Sequence, residues 1–480
     1  MNGEVIHTLL GLFNEALGNL ERATVIYRTL RDWERLAWAT AQMAKVCDVL
    51  GRVPESMEFV EALLDALMTV ANSQNQSQRS GDEPVYPASL EERAEQAVSI
   101  LSERTAARVF LCLVARLVYL SRFEEAASFS LAAASYARRA NILRMESLNY
   151  AFRGIAQSRL GKMDDATTAL RAALRAAEAS GDLEATFLAL ANLGAIHQQR
   201  AELQQARQLL LRAHETLRQL GDTLRASTSL YRLGVNAFLE GDWVEARARY
   251  EEALALGARS DRTETHRAWL GLTQLDLAEG KRPLTAALMR EEATRVYQRE
   301  DMMYQLYASS SLASLAIAAG FAETVRDALA AKRTSPSFRS DDPTTCEPLA
   351  VLAWAALECG DLAAAHETLA AAERRAEALG SRLACATIWR IAARLALVER
   401  RYDDGLRAVE QAVALCQAAP YSYAEAQARY VAGLLHRARG EPGDAGAARQ
   451  AFTDALALLT RLGERFYAER VERELAELSA

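Results

Sequence analysis

A six-residue turn signature recurs along this chain at a spacing that few folds accommodate. It reads Ser121-Arg122-Phe123-Glu124-Glu125-Ala126, then Gly161-Lys162-Met163-Asp164-Asp165-Ala166, Ala201-Glu202-Leu203-Gln204-Gln205-Ala206 and Gly241-Asp242-Trp243-Val244-Glu245-Ala246. Later copies are Gly360-Asp361-Leu362-Ala363-Ala364-Ala365 and Arg400-Arg401-Tyr402-Asp403-Asp404-Gly405. Turn positions 121, 161, 201 and 241 fall forty apart, and so do 320, 360, 400 and 440. A fixed period of this length means one supersecondary unit per repeat, each too small to bury its apolar face alone.

The flanks say what the unit is. Seven residues before the turn stands a glycine, at Gly154, Gly194, Gly234 and Gly433, where the missing Cβ lets a second helix approach closely. After the turn, large and small residues share one helical face, as in Tyr250, Ala253 and Leu254 or Leu210 and Ala213. Only 9 prolines and 24 glycines occur in 480 residues, and alanine, leucine, arginine and glutamate, all strong helix formers, dominate. The expected fold is all-α: a right-handed α-solenoid of about 11 helical hairpins plus a C-terminal capping helix. Its stability would be a sum over neighbouring repeats instead of one large core.

Departures from the period predict the boundaries. Two N-terminal hairpins are expected over 1–70, with turns at Gly18-Asn19-Leu20 and Gly51-Arg52-Val53, followed by a flexible polar loop over 71–89. One long helix from about Leu90 to Leu120 is expected to open the first part of the solenoid, 90–331. A second polar loop covers 332–347, and the second part runs over 348–463 with an insertion at Glu441–Gly446. A charged capping helix over 464–480 is expected to close the array with a polar face.

Chemistry-bearing patterns are sparse. The six cysteines form no CxxC pair and the six histidines no metal-ligand spacing, so inert thiols and no metal are expected. No GxxxxGK[ST] phosphate loop is present. The acidic pairs Asp164-Asp165, Asp341-Asp342 and Asp403-Asp404 sit at turns, where aspartate caps helix N-termini. A net charge of −7 argues against direct nucleic-acid binding. Acidic residues at the N-terminus and the lack of any long apolar run argue against a signal peptide or membrane span. A cytoplasmic, non-catalytic chain without cofactors, more readily monomeric than oligomeric, is expected.

The segment Leu230-Tyr231-Arg232-Leu233-Gly234 with Ala237, Gly241-Asp242-Trp243, Ala246, Tyr250 and Ala253 resembles the tetratricopeptide signature. The longer period and junctions such as Leu220-Gly221-Asp222 and Ser180-Gly181-Asp182 resemble the MalT-like sensor region of bacterial LuxR- and AfsR-type signal-transduction ATPase regulators. The resemblance implies a concave groove lined by the first helix of each hairpin. Its candidate binding residues here are Asn192, Gln198, Tyr231, Phe238, Tyr307, Trp354, Arg390, Arg394, Tyr430 and Arg437. Aromatic rings beside arginines suit a sugar, an acidic peptide or a carboxylate. The expected function is ligand or partner sensing in a bacterial regulator. A stand-alone scaffold is the alternative, and a peptide-pheromone receptor is a third.

Overall fold

Each repeat turns on one residue forced into the left-handed backbone region. In the computed structural model of the chain, which describes residues 2–50, 52–76, 89–257, 263–283, 285, 313–333 and 345–479, φ is +77° at Gly161, +84° at Gly241 and +80° at Gly360. Ser121, Ala201 and Arg400, at the same repeat position, adopt +59°, +61° and +61° without being glycine. The residue after each donates its N–H back five residues, as Lys162 does to Gln157 (2.9 Å), Glu202 to His197 (2.9 Å) and Asp242 to Ala237 (2.9 Å). This is the Schellman arrangement that satisfies the last carbonyls of a helix.

Between these turns the described regular structure is entirely helical. A first compact unit spans Met1–Asn192 and a second spans Leu193–Ala480. The first holds α1 (Asn2–Thr29), α2 (Trp33–Val49), α3 (Val53–Gln76), α4 (Leu90–Val98), α5 (Glu103–Tyr119), α6 (Phe123–Arg139), α7 (Leu143–Arg159), α8 (Met163–Ser180) and the start of α9 (Leu183–Gln199). The second begins within α9. It continues through α10 (Leu203–Leu220), α11 (Thr223–Glu240), α12 (Trp243–Gly257), α13 (Thr263–Ala278), α14 (Ala322–Arg333) and α15 (Cys346–Glu358). It ends with α16 (Leu362–Leu379), α17 (Arg382–Val398), α18 (Tyr402–Ala418), α19 (Ser422–Arg439), α20 (Asp444–Leu462) and α21 (Ala468–Glu477).

The first-helix glycines act as expected from their spacing. A Cβ on Gly154 of α7 would lie 2.5 Å from Leu170 of α8, and one on Gly194 would lie 2.9 Å from Leu210 of α10. In the first unit the core collects Leu36, Leu64, Leu67, Phe110, Leu113, Leu117 and Phe129. Arg116 is also fully buried there. Its charge is met by Asp48, by the Cys112 carbonyl at 2.6 Å and by the Ser56 hydroxyl at 3.3 Å.

Several boundaries differ from expectation. No turn forms at Gly18: α1 runs straight through it, because Leu17 is buried and Leu20 packs against the same small cluster. An exposed helical glycine costs only about 1 kcal/mol. The turn falls instead at Arg31, with φ +57°. The expected loop over 71–89 starts late, since Ala71 is still buried and α3 continues to Gln76; residues 77–88 lie outside the described residues. The single helix over 90–120 is two. Ser99 ends α4, and the Ser102 hydroxyl accepts from the Thr105 N–H to start α5.

The acidic pairs do not cap. Asp164-Asp165 and Asp403-Asp404 lie inside the first turns of α8 and α18, after N-caps Lys162 and Arg401. There they complement the helix dipole. The caps are aspartates directly after the turn residue: Asp222 accepts from the Arg225 N–H and Asp361 from the Ala364 N–H. Asp341-Asp342 lies outside the described residues. The 441–446 insertion is shorter than expected, for α20 restarts at Asp444 after Gly443 at φ +97°.

The C-terminal capping helix exposes the charged face expected of it, with Glu469, Glu472, Arg473 and Glu477 outward. It is also anchored more deeply than a polar cap requires, for after Gly463 the chain folds back into the second unit. The N–H groups of Arg465 and Phe466 donate to the Ala278 carbonyl at the end of α13, at 2.7 and 3.2 Å. Arg470 donates to the Ala318 carbonyl at 3.0 Å. Helix α21 begins at Ala468, and Tyr467, Ala468 and Val471 are buried. Carbonyls left open at helix ends are thus satisfied by residues more than a hundred positions away in the chain.

Candidate functional site

The first helices α15, α17 and α19 present equivalent repeat positions to one interior. Trp354 and Arg394 stand forty residues apart, as do Arg390 and Tyr430. Both guanidinium groups lie over the Trp354 ring, with Arg390 at 4.9 Å and Arg394 at 4.7 Å from its centroid. The Trp354 indole N–H donates to Glu358 at 2.8 Å, which fixes the ring's orientation. Tyr423 and Tyr430 of α19 meet Tyr467 of the returning C-terminal segment, at centroid separations of 6.4 and 5.9 Å. Phe238 of α11 and Trp243 of α12 stack at 5.3 Å, and both set their edges or faces against Tyr423.

This interior is poorly satisfied. Arg390 is 3% exposed, yet its Nη1 has no hydrogen-bond partner among the described residues. Arg394 Nε and the Tyr467 hydroxyl are also buried without one, and the buried Tyr423 hydroxyl has only the Gln427 side chain near it. Burial holds the Arg390 guanidinium below its usual value, against the favourable influence of Tyr467, Tyr421 and Tyr423. Arg394 has Glu358 at 3.9 Å as its nearest carboxylate.

Two carboxyls belong to the same region. Burial pushes Glu347 of α15 up to about 7 from an ordinary 4.5, with Arg390 pulling the other way. Glu464 is likewise pushed up to about 7 by burial, although it accepts the N–H of Tyr467 at 2.9 Å and that of Ala468 at 3.1 Å. Arg470 lowers it and Glu469 raises it further. An acid whose folded value lies above its unfolded one binds more protons when folded. It stabilises the fold below about pH 4.5, and that contribution fades as pH rises through about 7.

The shift at Glu464 corresponds to on the order of 3 kcal/mol. Between about pH 5.5 and about pH 8 the wild type is therefore expected to lose several degrees more of melting temperature than Glu464→Gln. Burial lowers His214, which acts in the opposite sense, so the difference between the two proteins is the readout. Parallel melting curves across a pH series would show that Glu464 ionises freely in the folded chain.

The ten residues expected to line a groove divide. Phe238, Trp354, Arg390 and Tyr430 are buried at this interior, and Arg394 is partly buried there beside the exposed Glu358. Tyr231 is buried against Tyr250, with centroids 5.9 Å apart. Asn192 donates to the Leu188 carbonyl of its own helix at 2.8 Å, and Gln198 donates to Asn236 at 3.2 Å. Arg437 pairs with Glu474 and Glu477 of α21. Tyr307 lies outside the described residues.

Sequence reasoning missed Glu347, Tyr423, Glu464 and Tyr467. Their only signal was the Phe466-Tyr467 aromatic pair leading into a charged helix, with Ala468 and Val471 on one face. Elsewhere burial pushes the thiols of Cys346 and Cys416 up to about 12, so neither is a nucleophile at neutral pH. Among the described residues, no three His, Cys, Asp or Glu side chains gather to hold a metal ion. No helix among them is long and apolar enough to cross a membrane.

No protein-family model matches the chain, and no curated protein matches it either. Solved structures that resemble it include the apo form of RapI, at 11% identity and a TM-score of 0.46, covering 76% of this chain and 97% of that one. Yeast Tom70 follows at 13% and 0.34, with coverages of 87% and 88%. A signal transduction ATPase with numerous domains from Pyrococcus horikoshii, carrying a tetratricopeptide repeat sensor, stands at 14% and 0.37, with coverages of 58% and 44%. At these identities and scores the likeness carries no argument about function. The recurring left-handed turn, the glycine beneath a bulky side chain of the following helix and the forty-residue spacing make each unit an all-α stack of tetratricopeptide-type helical hairpins.

Proposed function

We propose that the chain is a non-catalytic recognition module whose binding site is the interior shared by α15, α17 and α19. The observation that carries this reading is the buried Arg390 and the partly buried Arg394 on Trp354, each with a buried donor atom that has no partner among the described residues. Buried polar groups are ordinarily satisfied, and a ligand supplies what is lacking. In this role the array is the ligand- or partner-sensing region of a bacterial transcriptional or signalling regulator of the MalT-like kind, with the output made by another protein or domain.

A scaffold for protein assembly is the second reading. It is favoured by the exposed apolar side chains Leu12, Val25 and Ile26 on α1, Leu30 in the turn that follows and Trp38 on α2. The test is a thermal-shift screen of the full chain with oligosaccharides, nucleotides and peptides, alongside affinity capture of proteins. Sensing predicts that one ligand class raises the melting temperature by mass action and that Arg394→Met weakens the response. A captured partner that binds Arg394→Met unchanged, with no ligand shifting the wild type, would replace the sensor by the scaffold.

A further inference from the structure

The molecule contains its own comparison for a buried arginine. Arg116 in the first unit is 1% exposed and fully provided for, by Asp48, the Cys112 carbonyl and Ser56. That is how a structural arginine is held in a helical core. Arg390 in the second unit is buried almost as deeply, yet makes no ion pair within 4.0 Å and leaves Nη1 bare among the described residues. Arg394 Nε, one helical turn along, is bare as well.

The neighbouring orphans are of one chemical type. The Tyr467 hydroxyl is buried without a partner, that of Tyr423 has only the Gln427 side chain near it, and Arg390 is close enough to both for its charge to act on them. Two guanidinium groups and two phenols together offer hydrogen-bond donors in excess of acceptors. Glu347, the carboxyl of α15 that Arg390 influences, forms no ion pair with it. Flat apolar surfaces adjoin these donors: the Trp354 ring against both arginines, and the Tyr423 and Tyr430 rings each against Tyr467. The returning C-terminal segment contributes the Tyr467 ring to this region.

We propose that this interior binds a small molecule bearing an oxyanion, a carboxylate or a phosphate, held by Arg390 and Arg394 with the Tyr423 and Tyr467 hydroxyls on its remaining oxygens. Planar guanidinium forks match both groups. The aromatic walls take the apolar remainder of the ligand. The proposal rests on the reading of this interior as the recognition site and specifies its chemistry.

The test uses the full chain with inorganic phosphate and with succinate as probes, each against sodium chloride at equal ionic strength. At a hundredfold excess over Kd, one probe is expected to raise the melting temperature by roughly 5 °C, with the rise growing as the logarithm of its concentration; which probe does so identifies the oxyanion. Arg390→Met is expected to weaken that binding roughly 10- to 100-fold, the range for a charged hydrogen bond. Without probe, Arg390→Met melts at or above the wild-type temperature, because an apolar side chain of similar length replaces an unpaired buried charge.

Two results overturn the proposal: neither probe acting beyond chloride, or Arg390→Met retaining the full response. A drop in the unliganded melting temperature of Arg390→Met also counts against it, since it makes Arg390 a satisfied structural residue like Arg116. If the probes fail while an uncharged oligosaccharide or a peptide shifts the wild type but not Arg394→Met, the recognition site stands and only the oxyanion falls.

Discussion

Tyr467→Ala is expected to lower the unfolding free energy by on the order of 3–5 kcal/mol, the cost of removing a buried aromatic ring. Tyr467 is 1% exposed and touches Tyr423, Tyr430 and Phe466 at centroid distances of 6.4, 5.9 and 5.3 Å. It also anchors the segment that satisfies the Ala278 and Ala318 carbonyls. Tyr467→Phe keeps the ring and loses only a hydroxyl with no partner, so it should cost well under about 1 kcal/mol. Denaturant melts of both variants decide the matter. A polar cap at a solenoid end would make the two substitutions equally mild, and equal large losses would place the hydroxyl in a hydrogen bond.

Gly234→Ala and Gly271→Ala are each expected to destabilise by roughly 1–3 kcal/mol, as overpacking does. This holds even though alanine is the better helix former by about 1 kcal/mol. The Tyr250 ring of α12 lies between these glycines of α11 and α13. A Cβ on Gly234 would sit 2.5 Å from Cε1 of Tyr250, and one on Gly271 would sit 2.6 Å from its Cζ. The ring cannot retreat from one without meeting the other. The double variant should therefore cost more than the sum, because a ring displaced by the first methyl is driven onto the second. Additive losses in a double-mutant cycle would mean that the ring escapes sideways.

Much of this was legible before any coordinates. The glycines seven residues before four of the turns, Gly154, Gly194, Gly234 and Gly433, marked sites of close helix approach, and the positive φ angles fall at the positions that define the period. Such local signals are readable because one residue's stereochemistry enforces them. Gly18 shows where the signal fails. It matches the turn pattern in sequence, yet nothing crowds it and its φ is ordinary, so the helix of Leu17 and Leu20 passes through. Ser99 and Ser102 show the reverse, a break made by a single hydroxyl cap inside what reads as one continuous helix.

The candidate site was half legible. Periodicity placed Trp354, Arg390, Arg394 and Tyr430 on one face of successive first helices, and they do share one interior. Periodicity said nothing of what lies opposite, since Tyr467 and Glu464 belong to no repeat.

The sequence by itself determined the hairpin, its period and the face each first helix turns inward, because turn stereochemistry and helical spacing act within a few residues. Only the tertiary structure decided what this face meets. Its surroundings depend on the Ala278 carbonyl meeting Arg465, and on Phe238 and Trp243 meeting Tyr423. Those contacts arise from small rotations accumulated over many repeats, which no local pattern records.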